Sequence, residues 1–239
     1  MRNVLVSGAS RGLGLAIASR LAERGYRVIA LARNESAELR AAQAVNAELH
    51  FRACDLADTA NLGARVGQLR GEFGVFYGLV NNAGLGSGGL LSMMRDADIE
   101  ALVRLNTLAP IVLTKYVLRS MMSAKEGRIV NISSIVARSG FKALSAYSAT
   151  KAALEGFTRS LAREVGPLGV TVNAVAPGFV DTAMTQDLDE LSRERILRRS
   201  ALRRMVEPRD VAAAVEYLLS DAAHNITGTT LTVDAGNTA

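Results

Sequence analysis

The chain is poor in the residues that staple or metallate a small protein. Cys54 is its only cysteine among 239 residues, so no internal disulfide can form. With that cysteine and two histidines, His50 and His224, it lacks the donors for a His/Cys zinc site, and no metal is expected. No apolar run approaches the roughly 20 residues that span a bilayer, so a membrane partner is not expected either. The opening Met1-Arg-Asn-Val-Leu-Val-Ser-Gly8 enters a strand-like run at once and leaves no room for a signal peptide. Together with the lone cysteine this predicts a cytoplasmic, reducing setting. Repeats, low-complexity tracts and linkers are also missing, which predicts one domain over 1–239.

What is present suits a large buried core: 49% of residues are hydrophobic and 21% are charged. The net charge of +5 is modest, and part of it comes from the stretch Arg193 to Arg209. Such a run reads as a solvated face or as a dock for an acidic partner or substrate. Nucleic acid is not expected, because no recognised motif or interleaved aromatics accompany the arginines.

Short β-branched runs alternate with longer amphipathic stretches. Strands are expected at Val4–Val6, Arg27–Leu31, Glu48–Arg52, Gly78–Val80, Arg128–Ile132, Val170–Val175 and Thr230–Val233, with a first helix over Leu13–Arg24. This βαβα rhythm predicts an α/β fold: a single-domain, doubly wound Rossmann architecture with a seven-stranded parallel sheet covered on both faces. The polar stretch from Pro177 to about Ala201 is the least strand-like, and a small substrate lid is expected over 182–201.

Two features carry chemistry. The first is the turn Gly8-Ala-Ser-Arg-Gly-Leu-Gly14, where the first strand passes into the first helix. Glycines at 8, 12 and 14 allow a sharp turn and close approach of a pyrophosphate, and the helix N-terminus adds free N–H groups. Ser10, Arg11 and Leu13 share that turn. The spacing is G-x-x-x-G-x-G rather than G-x-G-x-x-G. The second feature is Tyr147-Ser-Ala-Thr-Lys151, thirteen residues after Ser134. Positions i and i+4 share a helix face, so the phenol and the ammonium point into one space. A nearby cation lowers a phenol's pKa, and a hydroxyl tuned towards neutrality is a good general acid for a carbonyl oxygen. The pair of features reads as a nicotinamide-dependent carbonyl reductase. At the end of the second strand stand Ala32 and Arg33, where an acidic residue would hold the ribose 2′-OH of NAD. Arg33 and Arg11 are either surface cations or the grip on a 2′-phosphate, and NADP(H) is the expected cofactor.

On these residues the chain resembles the short-chain dehydrogenase/reductase family along essentially its whole length. The matching set is Gly8-x-x-x-Gly12-x-Gly14, Asp55, Asn81-Asn-Ala-Gly84, Asn106, Ser134, Tyr147-x-x-x-Lys151, and Pro177-Gly178 followed by Thr182. Within the family it looks most like the 3-oxoacyl-acyl-carrier-protein reductases, on Ala176–Thr182, Leu202–Pro208 and Ile226–Gly236. The resemblance implies roles. Asp55 and Leu56 meet the adenine, while Asn82, Ala83 and Gly84 line the cofactor's centre. Lys151 holds the nicotinamide ribose, and Val180 and Thr182 approach the carboxamide. Ser134 and Tyr147 serve the carbonyl oxygen. Ser133 competes for the serine role, and the family's spacing to the tyrosine favours Ser134. Asn106 is expected in the fourth helix, holding a water that links Lys151 to solvent. Phe179 is expected in the core.

The substrate is less sharply drawn. An acidic acyl carrier protein needs a basic dock, and Lys125 and Arg128 before the fifth strand are candidates. The subgroup's usual basic residue before the sixth strand is missing, since Pro167-Leu168-Gly169 stands there, so a CoA thioester, sugar or other secondary alcohol stays open. A catalytically idle NADP(H)-binding regulator is the alternative of another class. Family members pair their fourth and fifth helices across two-fold axes, so a homotetramer is expected, through stretches such as Ile111–Leu113 and Ala152–Leu154.

Overall fold

The computed structural model describes residues 1–86, 88–180 and 190–239. Seven parallel strands form one sheet in the order β3-β2-β1-β4-β5-β6-β7. They are β1 (Asn3–Ser7), β2 (Arg27–Ala32), β3 (Leu49–Ala53), β4 (Phe76–Asn81), β5 (Gly127–Ile132), β6 (Val170–Pro177) and β7 (Thr230–Val233). All seven expected strands are present, most of them longer than the apolar runs suggested. β4 begins two residues earlier, at Phe76, because that residue pairs with Asn3 of β1 and is fully buried. β3 sits one residue later, over Leu49–Ala53.

Alternation along β1 divides the core. Val4 and Val6 pack on one face with α1 (Gly12–Glu23), α2 (Ala37–Val45) and α9 (Pro208–Leu219). Leu5 faces the other way, onto α3 (Leu62–Phe73), α5 (Ala109–Ala124) and α7 (Ser145–Val165). Both layers are therefore dry, and the inner strands read as continuous apolar runs, as a parallel sheet covered on two sides requires. The chain order reverses between β1 and β4, the switch point at whose C-terminal strand ends sheets of this kind bind their ligands.

Among the described residues, α4 (Asp96–Val103), α6 (Val136–Ser139) and α8 (Glu190–Arg199) are further helices. A π-helical turn, Arg104–Leu108, joins α4 to α5. The continuous helical run Asp96–Ala124 is long and apolar enough, by length and composition, to cross a membrane, contrary to the expectation that no run would be. Leu102, Leu113, Val117 and Met121 of that run are fully buried in the protein, which accounts for its hydropathy. Of the stretches named for subunit pairing, Leu113 and Leu154 are also buried, whereas Ala152 and Ala153 are exposed. Within the expected lid, residues 182–189 lie outside the described residues and Glu190–Arg199 is helical.

Candidate active site

The glycine turn is built as a cradle. Gly8 has φ +67°, and a Cβ there would stand 2.7 Å from the Ala83 Cα. A Cβ on Gly14 would stand 2.2 Å from the Gly8 carbonyl oxygen and 2.4 Å from Asn82 Nδ2. Only glycine permits this packing of turn, helix and β4 loop. Ser7 ties them together. Its hydroxyl accepts from the backbone N–H groups of Asn82 at 3.0 Å and Ala83 at 3.1 Å. Asn82 returns its side-chain amide to the carbonyls of Ser7 at 3.0 Å and Gly8 at 3.1 Å. On the other side, the Ser36 hydroxyl donates to the Ser10 carbonyl while capping Leu39 N of α2 at 3.0 Å. Ser7 and Ser36 escaped the sequence reading. The only local signal was a serine just before a glycine turn and one just before a helix.

This cradle fits the pyrophosphate of a dinucleotide. α1 begins at Arg11 with no side-chain cap, so its first N–H groups keep donor capacity for an anion. Space above Gly12 is open, with nothing within 4 Å of where a Cβ would lie. Ser10, Arg11, Leu13 and Arg33 surround the turn and the end of β2. Arg11 and Arg33 are both exposed, and Arg33 has no ion-pair partner among the described residues. Leu56 is buried after β3, while Asp55 is exposed and caps its own turn, accepting from Ala57 N at 3.0 Å.

The second half of the site is gathered from four elements. Tyr147 and Lys151 lie one turn apart on α7, and Ser134 follows β5. The Ser134 hydroxyl neighbours the Tyr147 phenol and acts to lower its pKa. Lys151 is buried, donates from Nζ to the Ile132 carbonyl at 2.8 Å, and lies 5.7 Å from the centroid of the Tyr147 ring. Asn106 is fully buried in the π-helical turn midway along the helical run Asp96–Ala124, inside the helix where it was expected. Its Oδ1 accepts from Leu85 N at 2.8 Å, and its Nδ2 donates to Leu85 O at 3.0 Å and Thr150 Oγ1 at 3.2 Å. The extra residue of a π turn re-aims a side chain, here onto the loop after Gly84 and the helix of Tyr147. Thr150, which also donates to the Tyr147 carbonyl at 2.7 Å, is a further residue the sequence reading passed over.

The electrostatics differ from expectation in one respect. Burial pushes the Tyr147 phenol above its ordinary 10.0, the neighbouring Ser134 hydroxyl only partly offsets this, and Lys151 does not pull it down. Lys151 is itself held down to about 8 by burial. Its charge is lost before the raised phenol titrates, so Lys151 offers the phenolate no cation; its ammonium is spent on the Ile132 carbonyl.

Ser133 is fully committed: its hydroxyl lies 3.2 Å from both the Lys151 carbonyl and Glu155 Oε1. The Ser134 hydroxyl accepts only a long 3.4 Å bond from Val136 N and so stays available beside Tyr147. Phe179 is not core; it is partly exposed and packs edge-on against exposed Phe141, with ring centroids 5.7 Å apart. Arg128 cannot form a dock, because it is 6% exposed and lies under Tyr77, 5.5 Å from the ring centroid. Lys125 is exposed but sits with Arg128 at the start of β5, the opposite end of the sheet. Gly178 donates its N–H to Val233 O at 2.9 Å, Pro177 closes β6, and Val180 bridges to Val206. Thr182 lies outside the described residues.

A doubly wound sheet with a glycine cradle at its switch point and a serine–tyrosine–lysine cluster beside it defines a nicotinamide-dependent oxidoreductase acting on carbonyl or hydroxyl groups. Known proteins agree. A family model described as "Enoyl-(Acyl carrier protein) reductase" matches residues 8–238. The chain is 40% identical over 232 residues to the 3-oxoacyl-[acyl-carrier-protein] reductase FabG of Vibrio cholerae, covering 97% of this chain and 95% of the relative. It is 41% identical over 235 residues to the FabG of Pseudomonas aeruginosa, with the same coverage of 97% and 95%. A solved structure of a Serratia marcescens short-chain dehydrogenase/reductase, a mutant with two phenylalanines changed to leucine, superposes with a TM-score of 0.91 at 33% identity, covering 100% of this chain and 98% of that one. The chain belongs to the short-chain dehydrogenase/reductase family.

Proposed function

We propose that the protein is an NADPH-dependent reductase of 3-oxoacyl thioesters, delivered on an acyl carrier protein and reduced to the 3-hydroxyacyl form. The similarity to FabG proteins, about 40% over 97% of the chain, carries the substrate class. Arg33 and Arg11 beside the end of β2, with no carboxylate at Ala32, favour the 2′-phosphate. A working enzyme is favoured over an idle binder because a sensor needs no proton donor.

Bound NADPH supplies the hydride. The chain's own groups do the rest. Gly8, Gly12 and Gly14 with the start of α1 hold the pyrophosphate, and Asp55, Leu56 and Asn82–Gly84 line the adenosine and the centre. Lys151 would hold the ribose hydroxyls, while Pro177, Gly178 and Val180 would flank the nicotinamide. As hydride reaches the carbonyl carbon, negative charge grows on the oxygen. Ser134 and Tyr147 both donate to it, which stabilises the developing charge. Tyr147 then releases its proton to that oxygen. Asn106 and Thr150 keep the Gly84 loop against α7, so both halves of the site stay in register. A cytoplasmic homotetramer through the outer faces of α5 and α7 completes the reading.

Carrier docking falls to α8 and the loop after it. Arg195, Arg199 and Arg204 are exposed and without ion pairs among the described residues, and Arg195 and Arg199 share one helix face. Like charges at i and i+4 repel, so an acidic surface would be welcome there. The test is NADPH oxidation over a panel of 3-oxoacyl-carrier thioesters, acetoacetyl-CoA, simple ketones and sugars. The carrier thioester should exceed the ketones and sugars by at least about 10-fold in kcat/KM, and its advantage should shrink as salt screens the arginines. A sugar or simple alcohol turned over best would replace this reading with the dehydrogenase alternative.

Activity should also depend on Lys151. Its ammonium, held at about 8, is lost above that pH. We expect kcat/KM for NADPH, which reports the free enzyme, to fall above about pH 8. Stability moves the other way. The unfolded lysine keeps its proton to 10.5, so between about 8 and 10.5 the unfolded state binds more protons and this group adds stability as pH rises. A flat profile up to pH 10.5 in the folded enzyme would remove Lys151 from the cofactor site.

A further inference from the structure

The turn that carries Ser134 is anchored from behind by a charged pair that the reduction does not itself use. Glu155 lies one helical turn beyond Lys151 on α7 and is 4% exposed. Its Oε1 accepts from Ser133 Oγ at 3.2 Å, and its Oε2 accepts from Arg138 Nε at 2.8 Å. Arg138 belongs to α6, four residues after Ser134. One carboxylate therefore grips the residue just before Ser134 and the helix just after it. It binds both to the helix that bears Tyr147 and Lys151.

A buried carboxylate is costly unless paired and hydrogen-bonded, and a well-packed apolar side chain of similar volume is often as stable. Stability alone therefore does not account for this arrangement. The main chain of the turn is held on the β6 side, where Ser133 N donates to Val175 O at 2.8 Å and Ile135 N to Pro177 O at 3.0 Å. The Ser134 hydroxyl itself has only the 3.4 Å bond from Val136 N, and the turn's side-chain ties to α7 run through Ser133 and Glu155. We infer that Glu155, clamped by Arg138, is a positioning residue that holds the Ser133–Ser134 turn so that Ser134 and Tyr147 converge on one substrate oxygen. This rests on the reading of Ser134 and Tyr147 as the two donors.

The test is a double-mutant cycle with Ser134→Ala, measuring kcat and the KM for NADPH in folded enzyme. Glu155→Gln keeps the shape but removes the charge that holds Arg138, and an amide NH2 in place of Oε1 can no longer accept from Ser133. Its kcat should fall about 10-fold with the NADPH KM unchanged, well within the roughly 100-fold that a 1 Å misplacement can cost. In a Ser134→Ala background the same change should matter by less than about two-fold, because the group being positioned is gone. Normal turnover of Glu155→Gln, or a loss that adds in full to Ser134→Ala, would overturn the inference. Near-normal turnover of Ser134→Ala alone would overturn the serine assignment and the inference with it, whereas a crippled Ser134→Ala beside a normal Glu155→Gln would sink the inference only. Should Glu155→Gln fail to fold, Arg138→Gln takes its place in the cycle. Its site is half-exposed, and a kcat loss of about 3-fold, again absent without Ser134, is expected.

Discussion

Replacing Tyr147 with phenylalanine is expected to lower kcat by at least about 100-fold while NADPH still binds, the smaller effect usual for losing a general acid. The ring stays and the packing with it, so the loss isolates the hydroxyl. Burial raises this phenol, which is therefore fully protonated at neutral pH in the free protein. That is the state reduction needs, since the proton must be present when hydride arrives. Oxidation of an alcohol would need the phenolate, and the same burial opposes it. Wild-type turnover should therefore favour reduction across the neutral range, and its phenylalanine variant should bind NADPH with ordinary affinity in a fluorescence titration. Near-normal turnover in that variant would show that another group delivers the proton.

Much of the site was legible because its parts are local in the chain. Tyr147 and Lys151 are one helical turn apart, and Gly8, Gly12 and Gly14 occupy a single βα turn. What decides the finer chemistry is long-range. Glu155 meets Ser133 across 22 residues and Arg138 across 17, and Ser7 meets Asn82 across 75. No periodicity connects such positions. The direction of the Tyr147 shift was missed for the same kind of reason. Spacing put Lys151 on the right face, but the Ile132 carbonyl of a neighbouring strand captures its ammonium.

The fold behaved similarly. Strand cores announced themselves as β-branched runs, whereas Phe76 joined β4 only through its pairing with Asn3 of β1. Arg128 looked like a surface cation in the chain. In the sheet it is a β5 residue stacked beneath Tyr77, with Arg2 over the same ring at 4.2 Å. The π-helical turn at Asn106 has no composition of its own. It is set by the anchorage of that side chain on Leu85 and Thr150, which lie in other parts of the chain.

Cofactor choice gives the second large effect. Ala32 ends β2, where its carbonyl accepts from Cys54 N at 2.8 Å, so the backbone at this position is fixed by the sheet and not by its side chain. It is also partly exposed, which leaves room for a longer side chain. Ala32→Asp combined with Arg33→Ala puts a carboxylate where a ribose 2′-OH can donate and removes a guanidinium from a 2′-phosphate. A hydrogen bond to a charged group contributes roughly 1.5–3 kcal/mol. The new carboxylate also repels the phosphate, so attraction to one cofactor and rejection of the other act together. At about 1.4 kcal/mol per decade, the ratio of kcat/KM for NADPH over NADH should move by about 100-fold towards NADH. The wild type should prefer NADPH. A wild type with equal or better kcat/KM for NADH would refute the reading of the β2 end. A wild type that prefers NADPH while the double variant does not shift would move the phosphate grip to Arg11, whose charge already reaches Glu38 across the same turn.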